Sequence, residues 1–172
     1  YFYSKTANNA ISGMNIKTNN TNGYSILLYD TNSNFTIRDS ILNSSYVGVQ
    51  EFYVSNLVVS GEWNLTNVKR ADGKPVNVFW STEANGTLNM MWYYQANITD
   101  IYGNPITNAN LSAYNKNGIQ KGWQFNLTSN SSGLTNRTII IDYVHNGTRN
   151  YYSLYTINTK NGGLSESHNL NV

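Results

Sequence analysis

The chain contains no cysteine, so no disulfide can staple it and its core must hold the fold alone. Charge is scarce too. Charged residues make up 12%, against about 25% in ordinary soluble domains, and the formal net charge is only +2. So weak a balance leaves no electrostatic footprint for nucleic acid. No stretch approaches the roughly 18 consecutive apolar residues of a membrane span, so the chain is expected neither to cross nor to anchor in a bilayer. The start at Tyr1-Phe2-Tyr3 lacks both an initiator Met and a basic-then-apolar leader, as expected of a processed product or of an excised piece. No sustained apolar i, i+3, i+4 pattern supports helices. Gly-rich phosphate loops, nucleophile elbows and cysteine nucleophiles are missing, and the abundant serines have no adjacent base. Neither an enzyme nor a bound cofactor is expected.

Something must hydrate a surface with so few charges, and the candidate is asparagine, at 30 of 172 positions. Asn-x-Ser/Thr acceptors occur at Asn19, Asn34, Asn43, Asn64, Asn85, Asn97, Asn110, Asn126, Asn130, Asn136 and Asn146. Random placement would give about six such triplets, so these 11 are nearly twice the chance number. A glycan must face solvent, and strand residues alternate between faces. Asn126 lies out of phase with Phe125 and Leu127, and the same holds for Asn34, Asn64, Asn97 and Asn110 beside their apolar neighbours. The blander reading is that Asn, Ser and Thr fill turns and polar faces. Glycosylation implies export from the cytoplasm, hence an extracellular or cell-surface protein.

β-branched, aromatic and Asn/Gly-turn residues predict an all-β chain with a seam near residues 85–90: a β-rich region at 1–87 and a sandwich at 88–172. In the second part, candidate strands cover 90–98, 106–114, 122–128, 135–144, 151–159 and 165–172. Turn signals at 100–105, 115–118, 130–133, 145–147 and 161–163 separate them. Trp92, Tyr94, Ile98, Leu111, Phe125, Ile139, Ile141, Leu154 and Ile157 are the expected core. The pattern Asp100-x-x-Gly103-x-Pro105-Ile106-x-Asn108-Ala109, followed by Ser132-Gly133 and by Tyr151 to Lys160 with Gly162-Gly163, resembles the transthyretin-like, carboxypeptidase-regulatory type of immunoglobulin-like β-sandwich of archaeal and bacterial surface proteins. The resemblance covers about residues 88–172. It implies a spacer or adhesive module with no catalytic role.

In the first part, Ser33-Asn34-Phe35-Thr36-Ile37 recurs 22 positions later as Ser55-Asn56-Leu57-Val58-Val59, with fainter echoes at Ser12–Ile16 and Val76–Trp80. A period of 21–22 is similar to archaeal right-handed parallel β-helix repeats, which precede a strand like Met91-Trp92-Tyr93-Tyr94. A second sandwich with evenly spaced strands is the alternative.

With that period, Asp30 would stack near Glu51 and Asp39 near Glu62. Such pairs suit glycoside cleavage only across a cleft that splits their protonation states, and no cleft or basic partner is evident. Asp30, Asn32 and Asn34 alternate like the start of a calcium loop but lack the following Gly and the distant Glu. His145 and His168 have no partner at ligand spacing, so no metal site is expected. Trp63, Trp80, Trp92, Trp123 and the pairs Tyr93/Tyr94 and Tyr151/Tyr152 read as core and interface before sugar platforms.

Two functions remain. The first is a structural, heavily N-glycosylated subunit of an extracellular filament, pilus-like thread or surface layer, self-associating into a homopolymer by β-strand addition from the N-terminal segment. The second is a carbohydrate-binding or carbohydrate-cleaving module. If the chain is a fragment, its open end continues into more chain and needs no self-contact.

Overall fold

The computed structural model describes residues 9–18, 23–29, 34–44, 50–58, 60–115 and 124–172. Expectations for Tyr1-Phe2-Tyr3, Asn19, Asp30, Asn32, Ser33 and Trp123 lie outside them. The described residues form fourteen strands and no helix, so the protein is all-β. Two compact units divide the chain at Met90/Met91, with Val144–Arg149 counted in the first.

The first unit holds β1 (Asn9–Ser12), β2 (Asn15–Thr18), β3 (Ile26–Leu28), β4 (Phe35–Ser44), β5 (Phe52–Val54), β6 (Glu62–Lys69) and β7 (Val78–Trp80). β8 (Thr87–Tyr94) begins there and runs on past the division. One sheet is ordered β1-β4-β6-β8, with β2 also on β4, and the other is ordered β3-β5-β7. The pairings among β1 to β7 are parallel. Asn9 lies opposite Phe35 and Ile26 opposite Phe52, each 26 positions on, while Phe35 lies opposite Trp63, 28 positions on. The repeat is therefore 26–28 residues, and the expected 21–22 is corrected. The Ser33 and Ser55 copies do not pair: Phe35 is on β4, whereas Leu57 and Val58 follow β5. Alternating apolar residues mark any strand, so matching two of them does not fix which strands are neighbours.

A shared bend explains why simple alternation misleads in this unit. Gly13, Asp39 and Asn67 all have positive φ, at 68°, 49° and 53°. They fall at the same level of successive strands, between register-paired residues on either side. Only Gly, Asn and Asp visit this region readily, which accounts for the three residue types. The bend switches which residues face inward. Ile37 is buried before Asp39 and Ser40 and Leu42 after it; Trp63 and Leu65 are buried before Asn67 and Val68 after it. Side chains close the corner: the Ser40 hydroxyl accepts from the Met14 N–H at 3.2 Å and donates to the Arg38 carbonyl at 2.7 Å. The Asn67 amide donates to Asp39 at 2.7 Å. Beneath the strands lies a core that includes Phe52, Trp63, Leu65, Leu88 and Met90, each fully buried. Burying side chains of this size is the main stabilising term, about 1.5–3 kcal/mol each.

The second unit takes the rest of β8 with β9 (Asn110–Asn115), β10 (Phe125–Thr128), β11 (Thr138–His145) up to Tyr143, β12 (Arg149–Tyr151) from Asn150, β13 (Leu154–Asn161) and β14 (Leu164–Asn171). Its sheets are ordered β8-β11-β12 and β10-β9-β13-β14, the second of them antiparallel throughout. They face each other. The buried Tyr155 of β13 bonds both backbone groups of Ile141 on β11, and Phe125 of β10 packs on Tyr94 of β8 at 5.5 Å. Leu111, Ile141 and Ile157 are fully buried as expected. Trp92, Tyr94, Ile98, Phe125 and Leu154 are half-buried. Ile139 is 40% exposed, a correction: in the apolar run of β11, burial begins at Ile140, so phase cannot be read from a run of three isoleucines. Residues 95–109 form isolated bridges and turns in place of the expected strand ends at Ile98 and Ile106.

Three turns share one hydrogen-bond pattern. In 70–74, 100–104 and 130–134 the first N–H donates to the fifth carbonyl and the Gly at the fourth position donates back to the first. Those glycines, Gly73, Gly103 and Gly133, have φ of 80°, 85° and 76°. At Gly133 a Cβ would also strike the Ile98 carbonyl oxygen. Asp100 and Asn130 cap their turns through a side-chain oxygen that accepts from the third and fifth N–H groups, at 2.8 and 2.9 Å and at 2.9 and 3.1 Å.

Candidate functional site

The candidate site is distributed: it is the set of acceptor asparagines. Of those described, Asn34, Asn85, Asn97, Asn110, Asn126, Asn130, Asn136 and Asn146 are exposed, Asn43 and Asn64 are half-buried, and none is buried. Local structure explains each kind. Asn110 and Asn126 stand on the outward phase of β9 and β10, where Asn110 lies opposite Thr128 and Asn126 opposite Ser112. The hydroxyl residue of each acceptor triplet is thus the cross-strand neighbour of the other acceptor, and Thr128 Oγ1 lies 3.3 Å from Asn110 Oδ1. Asn130 starts a turn, and Asn146 lies in the turn between β11 and β12. At Asn34 and Asn130 the amide oxygen accepts backbone N–H bonds, Asn34 from Glu62 at 2.8 Å. An amide held through its oxygen keeps its nitrogen, the atom a glycan modifies, on the side away from that bond.

Among the described carboxylates that the shorter repeat had stacked, Glu51, Asp39 and Glu62 each have a different partner, and Asp30 lies outside the described residues. Glu51 is buried to 1% exposure; its Oε2 accepts from the Asn77 N–H at 2.9 Å and its Oε1 lies 3.6 Å from Arg70 Nε. This is an internal tie from Glu51 to Asn77 and Arg70. Asp39 sits beside Asn67, while Glu62 lies in register with Asn34 and accepts from Asn89 at 3.1 Å. The 28-residue register therefore separates Asp39 from Glu62, which the shorter spacing had stacked. Among the described residues no three His, Asp or Glu side chains gather as a metal would require.

His145 stacks on Trp80 at 4.6 Å in the first unit, and burial together with the nearby Arg149 charge pulls its pKa below the usual imidazole value. His168 is exposed on β14. In the second unit Trp92 Nε1 donates to the buried Asp142 at 3.4 Å, Arg137 lies 4.1 Å over the Tyr93 ring, and Tyr152 is buried while Tyr151 is 54% exposed. Burial raises the pKa of Tyr94 and of Tyr155. The Asn104 side chain, with backbone N–H groups, holds the Asp100 carboxyl below its usual range.

Sequence reasoning missed one arrangement, a ladder of rings on the smaller sheet. Tyr53 of β5 stacks on Phe79 of β7 at 4.7 Å with planes 13° apart, and Tyr24 lies 4.3 Å from Tyr53. Tyr53 and Phe79 are register partners 26 positions apart, so the signal was an aromatic recurring at that spacing. No protein-family model, curated protein or solved structure matches the chain.

Proposed function

We propose that the chain is a heavily N-glycosylated structural module of an extracellular filament, thread or surface layer, joined to its neighbours by β-strand contacts. The observation that carries this is the placement of the ten described acceptors: eight exposed, two half-buried and none in a core. Acceptor density nearly twice that of chance, with every described site off the core, fits a surface hydrated by sugar where charge is scarce. On this reading the first unit is a short right-handed parallel β-helix, supported by its parallel registers and stacked bends. The second is an immunoglobulin-like, transthyretin-like sandwich, supported by its two facing sheets and by the turns at Asp100 and Asn130. Strand addition is supported by β14, which closes its sheet and is exposed at all but one of its positions. Such an edge is a template for another strand.

Antibody labelling of intact cells, with electron microscopy of the labelled material, tests the proposal. Label on extended or layered surface structures is expected. Label found only after lysis would refute it. Deleting residues 1–10 tests the assembly mode, because strand donation from the N-terminal segment requires that the shortened subunits fail to assemble.

A further inference from the structure

The ring ladder of the first unit borders a groove of about 430 Å³, lined by Tyr53, Asn56, Phe79, Ser81, Thr82 and Glu83. The groove is shallow and largely open to solvent, so it suits a ligand laid along it and does not enclose one. The aromatic wall is partly open to solvent, with Phe79 39% exposed. The polar wall is held in place. The Ser81 N–H donates to the Val54 carbonyl, Ala84 turns back to the Ser81 carbonyl at 3.0 Å, and Trp80 Nε1 donates to the Ala84 carbonyl at 3.1 Å. Asn85 is tied to the Val58 carbonyl at 2.9 Å. The Ser81 hydroxyl lies 3.5 Å from the Tyr53 hydroxyl, and the Asn56 amide oxygen accepts from Ser55 at 3.2 Å. A short chain segment carrying two hydroxyls and a carboxylate is thus fixed against two stacked rings.

The chemistry of the lining selects among ligands. An apolar ligand would cover Asn56, Thr82 and Glu83 and leave their polar atoms unpaired, which is costly. An anion would meet the Glu83 carboxylate with no cationic side chain in the lining to offset it. A neutral pyranose fits both walls: its C–H face packs on aromatic carbon, and its hydroxyls donate to the carboxylate and exchange hydrogen bonds with the amide and hydroxyls. We infer that this groove binds a neutral saccharide through Phe79 and Tyr53 on one side and Asn56, Thr82 and Glu83 on the other. The saccharide is either a glycan of another copy of this protein or a separate polysaccharide; the recognition chemistry is the same. A separate polysaccharide would bind whether or not the acceptor asparagines are occupied, whereas the glycan of another copy rests on the proposed function.

The test is calorimetric titration of the full chain, produced without glycans, with neutral tetrasaccharides of glucose, mannose, galactose and N-acetylglucosamine, and with glycans released from the native protein. Submillimolar binding of at least one is expected, weakened about tenfold or more by Phe79→Ala, a loss of about 1.4 kcal/mol, and severalfold by Glu83→Gln. Tyr151→Ala, on the second unit, should leave it unchanged. Binding of released glycans alone assigns the groove to contacts between copies, and binding of a tetrasaccharide assigns it to an outside polysaccharide. Absence of binding by the whole panel overturns the inference, as does binding indifferent to Glu83→Gln and Thr82→Ala, two exposed changes that apply even if Phe79→Ala fails to fold.

Discussion

The two units solve the same problem, pairing short strands without disulfides, by opposite means. In the first, partners lie 26 or 28 positions apart and like residues meet like: Tyr53 on Phe79, Asp39 on Asn67, Phe35 beside Trp63. In the second, β13 turns directly into β14, and Asn161 pairs with Leu164 across two glycines. Register there is set by local turn chemistry, and in the first unit by what lies inside and between distant strands. The first unit should therefore respond most to changes in its stacked residues, and the second to changes at turns and at the contact between its sheets.

Trp63→Ala should give the largest loss, about 3–5 kcal/mol in urea unfolding, because a fully buried ring is deleted from the middle of the first unit. A loss under about 1 kcal/mol would mean that the interior of the stack does not hold it. In the second unit Tyr155→Phe removes one hydroxyl and leaves both the Ile141 N–H and carbonyl without that partner, for a cost of about 1–3 kcal/mol. Next comes the bend. Asn67→Ala should cost about 1 kcal/mol or more through its positive φ, and Asn67→Gly should recover most of it. Equal effects of the two changes would show that backbone conformation does not matter at this level of the stack.

Acid should act on the two units separately. The folded pKa of His145 is lowered, so the unfolded chain takes up its proton first; stability present above the usual imidazole range is lost as pH falls through that range towards the folded value. Replacing His145 by Phe, which keeps a ring against Trp80, should flatten that limb of the stability profile. Asp100 is also lowered, so its contribution is present above the usual carboxylate range and is lost as pH falls through its folded pKa. Asp100→Asn should remove this step while keeping the turn, since Asn130 builds the same turn with an amide. These are the smallest effects expected, read from urea midpoints across pH.

The second unit was the more legible in sequence because its signals are local. Asp100-x-x-Gly103 and Asn130-x-x-Gly133 mark turns that form as their residues require, and Leu111 and Ile157 follow from alternation. Alternation fails at Ile139 because the run Ile139-Ile140-Ile141 has no polar residue to set its phase. In the first unit the spacing of apolar residues does not report which strands pair. The bends at Gly13, Asp39 and Asn67 reverse the inward phase, and a pattern taken from one side of a bend does not continue across it. The diagnostic spacing was carried by the residues that tolerate positive φ and by Tyr53 and Phe79, not by the strands' apolar residues. That the described acceptor asparagines lie off the core needed only strand phase and turn signals, which are local. The groove needed the chain turned back at Ser81 to Ala84, which no local pattern announces.

The central claim is that these acceptors carry sugar on a structural surface, and site-resolved glycopeptide mass spectrometry of the native protein tests it most directly. Occupancy is expected at most of the 11 acceptors, including the exposed Asn110, Asn126 and Asn130, with an intact mass several glycan units above the 19.4 kDa polypeptide. A native chain whose mass equals that of the bare polypeptide, with every acceptor unmodified, would contradict the account.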